Sequence, residues 1–238
     1  MQKPFLFAFD FDHTVVDDNT DTVARSLVPR DKIPKHVEDL YAVDGWTQYM
    51  SEVFKILHAN NITPTQMKNI IRNIPVVSHL DDLLRYLHEN NCEVVIISDS
   101  NSVFIDEWLC ANSLDSVVNQ VFTNPAYFSE DGLLHISMYH EQNWCKLSSK
   151  NLCKGHILGT YIEQRRVDGM LFHQVSYVGD GKNDLCPSLK LSKNDFVFPR
   201  YGFALHKVIE MQENSMEASV HPWKDGRDIM KFISQVLK

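Results

Sequence analysis

Three short apolar runs stand out along the chain, and each stops on polar residues. Phe5–Phe9 leads into Asp10, residues 92–97 (CEVVII) lead into Ser98, and residues 175–178 lead into Gly179 and Asp180. Unbroken apolar runs of this length, rich in β-branched residues, predict strands buried on both faces.

The segments between them carry a helical period. Leu80, Leu83, Leu84 and Leu87 recur at helical spacing before the second run, with Asn90 and Asn91 as the stop; Phe104, Ile105, Trp108 and Leu109 follow it. Strand, helix, strand, helix predicts an α/β protein with a Rossmann-like, mostly parallel sheet covered on both faces. Ligands of such sheets sit at the carboxyl ends of the strands, where the polar endings fall.

Residues 17–75 break this alternation. Trp46, Tyr49, Met50, Val53, Phe54 and Leu57 form one helical stripe ended by Asn60 and Asn61, and Thr63, Pro64 and Gln66 open the next helix as N-cap, N1 and N3. Met67, Ile70, Ile71 and Ile74 continue its apolar face. The expected organisation is a core from residues 1–16 and 76–238 with a helical cap, 17–75, inserted after the first strand. Residues 201–238 read as two helices around an irregular stretch.

Composition narrows the classes. The chain has 238 residues, and its 23 Lys plus Arg against 31 Asp plus Glu give a net charge of −8. This balance argues against nucleic acid, which needs a basic stripe, and points to no obvious protein partner. No run approaches the ~18–20 apolar residues of a membrane helix, and the start is too short in apolar residues for a signal peptide, so a cytoplasmic protein without membrane contact is expected. Five cysteines without a CxxC pair suggest reduced thiols rather than a disulfide framework or a zinc site.

The chemistry lies at the strand ends. Asp10 and Asp12 leave the first strand two residues apart; in extended chain they would face opposite ways, but a turn there lets both meet one ligand. In GDGKND, Asp180 and Asp184 supply hard oxygens suited to Mg²⁺, beside glycines that let the chain turn tightly. Ser98 offers a hydroxyl, with Asp99 and Asn101 nearby, that could hold a phosphoryl oxygen, and Lys154 precedes another helix. Each pattern alone also fits a polar turn, a helix cap or a surface charge. Their joint occurrence, in this order, is far more specific.

That order resembles the haloacid-dehalogenase superfamily of phosphohydrolases, through DFDHT at Asp10 to Thr14, Ser98, Lys154 and GDGKND from Gly179 to Asp184. More narrowly, DFDHTVVDDNTD, SDSN and NLCKG resemble the phosphoethanolamine/phosphocholine phosphatase family, and within it the branch described as pyridoxal phosphate phosphatase. The resemblance implies Asp10 as nucleophile forming an aspartyl-phosphate, and Asp12 as general acid and then base. It implies Mg²⁺ held by Asp10, the Asp12 carbonyl and Asp180, with Asp184 orienting the shell, and Ser98 and Lys154 neutralising phosphoryl oxygens. Four carboxylates would repel a phosphate that a single Lys could not hold, so a cation is required.

Asp21 and Asp99 match positions that in this family face the substrate beyond its phosphate. Two carboxylates there favour a cationic group: a pyridinium nitrogen, ethanolamine or choline. Asp21 also fits a plain helix cap, and Trp46, Tyr49 and Phe54 fit core before pocket wall. The expected activity is Mg²⁺-dependent hydrolysis of a small phosphomonoester, pyridoxal 5′-phosphate first and phosphoethanolamine or phosphocholine second. A phosphotransferase would use the same residues. A catalytically inert binding protein on this fold is the reading of another class, and the presence of Asp10, Asp12, Lys154 and Asp180 argues against it.

Overall fold

The computed structural model describes residues 4–43, 45–211 and 216–237. The ends of the expected core and part of the expected C-terminal stretch, at 1–3, 212–215 and 238, lie outside the described residues.

The chain begins with β1 (Phe5–Phe9), followed by α1 (Thr20–Arg25), α2 (Lys35–Glu38), α3 (Trp46–Ala59), α4 (Pro64–Arg72) and α5 (Leu80–Glu89). Then come β2 (Glu93–Asn101), α6 (Ser102–Ala111), β3 (Gln120–Asn124), and a hairpin of β4 (Ala126–Phe128) and β5 (Leu134–Ile136). The remainder is α7 (Lys154–Val167), β6 (Gln174–Gly179), α8 (Leu185–Ser188), β7 (Phe196–Pro199), α9 (Ala204–Met211), β8 (Ser219–Val220) and α10 (Gly226–Val236).

Six strands form one parallel sheet in the order β3-β2-β1-β6-β7-β8, so β1 lies between the other two apolar runs. Phe9 is in register with Ile96 on one side and Val178 on the other, which brings Asp10, Ser98 and Asp180 to one edge. The pleat sends alternate residues to opposite faces. Phe7, Phe9, Val94 and Ile96 pack with Leu84 and Leu87 of α5, Trp108 of α6 and Ile229 of α10. Leu6, Ala8, Val95 and Ile97 pack on the other face with Ile157, Leu158 and Tyr161 of α7. Both faces are dry, as an all-parallel sheet requires.

The helix signals were local and correct. Thr63 caps α4 reciprocally with Gln66, through Gln66 N to Thr63 Oγ1 at 3.3 Å and Thr63 N to Gln66 Oε1 at 2.9 Å. Asn61 and Asn91 turn the chain in the left-handed region after α3 and α5, where asparagine is tolerated. The chain enters and leaves the helical stretch side by side: Val16 pairs antiparallel with Val76, Asp17 N donates to Pro75 O, and Val77 N donates to Val15 O. Met50, Val53, Phe54, Leu57, Met67 and Ile71 share one continuous cluster of buried side chains with α5 and α6.

Three features depart from the sequence expectation. β2 runs past Ile97 to Asn101, so Ser98 lies within an irregular strand end rather than after it; the register with β3 shifts between Ile97 and Asn101. The β4–β5 hairpin, unmarked by any long apolar run, packs on α3, where Asp131 O meets His58 Nε2 at 3.0 Å. The irregular C-terminal stretch supplies the edge strand β8, too short for a periodic signal. Among the described residues no helix is long and apolar enough to cross a membrane.

Candidate active site

Asp10 leaves the central strand and is 4% exposed. Its Oδ1 accepts from Phe11 N (2.6 Å), and its Oδ2 lies 2.6 Å from Lys154 Nζ. Lys154 opens α7 with its side chain wholly buried, and its ammonium also meets Asp184 Oδ1 at 2.8 Å. Leu152, two residues earlier, takes the left-handed region at φ 59°, an uncommon conformation for leucine, at the turn leading into α7.

Asp184 closes the loop after β6 on itself. Its Oδ2 accepts from Asp180 N (3.0 Å) and Gly181 N (2.8 Å), and its Oδ1 accepts from Tyr177 OH (2.6 Å). A Cβ on Gly179 would stand 2.5 Å from Asp184 Oδ2, so the glycine makes room for that fold-back. Asp180 accepts a long bond from Thr14 Oγ1 (3.3 Å). This leaves most of its carboxylate capacity for another partner.

Carboxylate oxygens of Asp10, Asp180 and Asp184 lie within 4.8 Å of one another, all buried. The electrostatics record the crowding. Burial and Asp184 push the Asp180 carboxyl up to about 7 despite Lys154. Burial, then Asp184, hold Asp10 well above the ordinary carboxylate range. Burial pulls the Lys154 ammonium down, but Asp10 and Asp184 outweigh it and its pKa rises. A hard, oxygen-only donor set with unrelieved negative charge fits Mg²⁺.

Asp12 turns away from this cluster, as the break in the strand at His13 (φ 55°) permits. Its Oδ1 accepts from Thr20 N (3.0 Å), and its Oδ2 accepts from Asn19 Nδ2 (3.0 Å) and Thr20 Oγ1 (3.2 Å). Burial, then the nearby Asp21, raise its pKa well above the ordinary value against these bonds. A carboxyl held neutral in this way can donate a proton. Ser98 is fully buried and accepts from Ser100 N at 3.3 Å, one strand over from Asp10.

Asp21, at 1% exposure, accepts from Trp46 Nε1 at 2.8 Å, and its Oδ1 has no hydrogen-bond partner among the described residues. Burial raises its pKa to about 7, the indole working against the rise and Asp99 with it. Two cavities meet at Tyr41 and Trp46: one of about 400 Å³ bordered by Asp21, Arg25 and Tyr49, the other of about 310 Å³ bordered by Asp99, Thr47 and Asn151. Asp99 Oδ2 accepts from Asn183 Nδ2 at 3.4 Å. Of the three aromatic residues singled out, Phe54 is core, buried Tyr49 also borders the larger cavity, and half-buried Trp46 borders both.

Sequence reading missed several supports. Thr20 holds Asp12, Tyr177 holds Asp184, and Asn151 Nδ2 bridges Thr47 Oγ1 (3.0 Å) and Asn124 Oδ1 (2.8 Å). Arg200 donates to His13 O (2.6 Å) and Asp17 Oδ1 (2.7 Å), clasping the loop after β1. Thr20 stands within DFDHTVVDDNTD but no spacing rule marks it, and Asn151 and Arg200 act across the chain. Cys145, Cys153 and Cys186 are free thiols that converge, which their spacing along the chain does not foreshadow.

Comparison with known proteins agrees with this geometry. A family model described as "Putative Phosphatase" matches residues 5–237. The chain is 38% identical to Pyridoxal phosphate phosphatase PHOSPHO2 of Mus musculus, over 98% of both chains. It is 33% identical to Phosphoethanolamine/phosphocholine phosphatase of Homo sapiens, over 98% of this chain and 90% of that one. A structure of phosphoserine phosphatase in apo form shares the fold, with a TM-score of 0.62 at 16% identity over 97% of this chain and 99% of that one. The protein therefore belongs to this phosphatase family of the haloacid-dehalogenase superfamily and is a phosphoric monoester hydrolase.

Proposed function

We propose that the protein is a Mg²⁺-dependent phosphatase that works through an aspartyl-phosphate on Asp10, with pyridoxal 5′-phosphate as substrate. The observation that carries the mechanism is the pairing of buried Asp10 with Lys154, beside Asp180 and Asp184. The Asp10 carboxylate attacks phosphorus in line, and the bond to the leaving oxygen breaks as that oxygen takes the proton from Asp12. Asp12, now a carboxylate, takes a proton from water as the water attacks the acyl phosphate, releasing phosphate and restoring Asp10. Ser98 and Lys154 hold phosphoryl oxygens throughout. Asp10, the Asp12 carbonyl and Asp180, with Asp184 behind them, would hold Mg²⁺, which would supply the positive charge a phosphate dianion needs beside these carboxylates.

Residues 17–75 act as a cap over the strand ends, hinged where the segments around Val16 and Val76 pair. They exclude water during transfer and limit substrates to small metabolites. Asp21 and Asp99 face the part of the substrate beyond its phosphate. The Tyr41–Trp46 aromatic corner, with ring centroids 5.4 Å apart, favours a flat pyridine ring over a flexible amine, in keeping with the activity in the name of the Mus musculus relative. The carboxylate pair also suits the ammonium of phosphoethanolamine, the second reading.

The test is kcat/KM for pyridoxal 5′-phosphate and phosphoethanolamine side by side in Mg²⁺, with Asp10→Asn as blank. Preference for pyridoxal phosphate is expected. Preference for phosphoethanolamine would reassign the substrate and make Asp21 and Asp99 ammonium ligands, while rates independent of Asp10 would overturn the mechanism.

A further inference from the structure

Three thiols, two from the segment before α7 and one from α8, meet beside the start of α7. Cys186 Sγ lies 3.4 Å from Cys145 Sγ and 3.7 Å from Cys153 Sγ, and all three sulfurs fall within 4.8 Å of one another. Cys153 and Cys186 are buried, whereas Cys145 is half-exposed. The remaining cysteines, Cys92 and Cys110, stand outside the group.

The surroundings are built around these sulfurs. Gln142, itself buried, accepts from Cys145 N at 2.8 Å and donates to the carbonyls of Cys145 (3.1 Å) and Ser148 (3.2 Å), which winds the irregular segment into a loop carrying Cys145. Cys153 N donates to His140 Nε2 at 2.9 Å. A Cβ on Gly155 would stand 2.6 Å from Cys186 Sγ, so only glycine there lets this thiol reach the head of α7. Two sulfurs would suffice for a disulfide; the third needs another account.

Metal coordination provides it. A zinc–sulfur bond of ~2.3 Å sets tetrahedral sulfur edges at about 3.8 Å, near the separations found. Thiolates select soft d¹⁰ cations such as Zn²⁺, just as the all-oxygen Asp10, Asp180 and Asp184 set selects Mg²⁺. Cys145, the half-exposed member, leaves the fourth position open to solvent.

We propose that Cys145, Cys153 and Cys186 bind one zinc ion, which fastens the loop before α7 to α8 and so fixes the residue preceding Lys154. Each thiol releases its proton to solvent on binding, with no change of oxidation state. The site is structural, and it does not depend on which phosphomonoester the enzyme prefers.

The experiment uses the full chain, purified reduced in Mg²⁺ without chelator. Atomic emission is expected to find about one zinc per chain. Exchange with Cd²⁺ should give an ultraviolet thiolate-to-cadmium charge-transfer band, which carboxylates do not produce. Cys145→Ser and Cys186→Ser should each lower that band by about a third or more, because each removes a thiolate ligand, while Cys110→Ser leaves it unchanged. Near a hundredfold excess of free zinc over its dissociation constant, the thermal midpoint should rise by roughly 5–10 °C. Should Cys186→Ser fail to fold, Cys145→Ser, at the half-exposed position, carries the test alone. A folded wild-type chain with no charge-transfer band, or with a band that Cys145→Ser leaves unchanged, would overturn the proposal.

Discussion

The Lys154 ammonium stands between two carboxylates, 2.6 Å from Asp10 Oδ2 and 2.8 Å from Asp184 Oδ1, with no solvent exposure of its own side chain. One cation therefore pairs with the nucleophile and the anchor of the β6 loop at once, offsetting part of their combined charge. Removing one partner of a buried ion pair leaves an uncompensated charge, which costs about 3–5 kcal/mol. Lys154→Met should lose stability of that order near neutral pH. The loss should shrink in acid, where Asp10 protonates. Denaturant unfolding at two pH values checks this, and a pH-independent loss would contradict the pairing.

Asp12 is expected to act twice, first as acid and then as base. Asp12→Asn should lower kcat on alkyl phosphates by about 10²–10⁴. With p-nitrophenyl phosphate, whose leaving group needs no proton, the first step should survive while hydrolysis of the phosphoenzyme stalls. Stopped-flow absorbance should then show a burst of about one nitrophenolate per site before a slow phase. A slow linear trace from the start would remove Asp12 from the second step.

Asp21 sets stability against substrate selection. Its pKa rises to about 7 on folding, chiefly through burial, from the ordinary aspartate value of 3.8. A carboxyl with a raised folded-state pKa binds its proton more tightly when folded, so this contribution to stability is present in acid and is lost as pH climbs through the window from about 4 to 7. Asp21→Asn should therefore be more stable than wild type by up to about 4 kcal/mol near pH 8 and no more stable near pH 4. The same variant should raise KM for the preferred cationic substrate. Denaturant melts and initial rates together test both halves.

Metal binding should show the same linkage. Asp180, also raised to about 7 by burial and Asp184, loses its favourable protonated state as pH rises. Mg²⁺ competes with that proton, so it should raise the thermal midpoint more near pH 8 than near pH 5. Chelation should abolish turnover, and Asp180→Asn should remove most of the Mg²⁺-induced shift. Calorimetry across pH, with and without Mg²⁺, measures it.

Local interactions made much of the molecule legible in advance. Phe5–Phe9 is a strand because an unbroken apolar run must be covered on both faces, and α4 begins at Pro64 because Thr63 and Gln66 satisfy each other's backbone. The DFDHT and GDGKND patterns marked the carboxylates because turns at strand ends need those residue types in sequence. Other features had no such signal. The β4–β5 hairpin is held by α3, β8 is held by β7, and Trp46 turns from the helix stripe toward Asp21.

The sequence by itself determined the alternation of strands and helices, the helical stretch after β1, and the order of the acidic, hydroxyl and basic residues along the chain. Each of these depends on neighbours within a few positions, where backbone geometry and side-chain type suffice. Only the tertiary structure decided that Lys154 is buried between Asp10 and Asp184, that Arg200 clasps the loop after β1, and that Cys145, Cys153 and Cys186 share one pocket. Those groups are brought together by tertiary packing, over separations from 30 positions for Lys154 and Asp184 to 187 for Arg200 and His13.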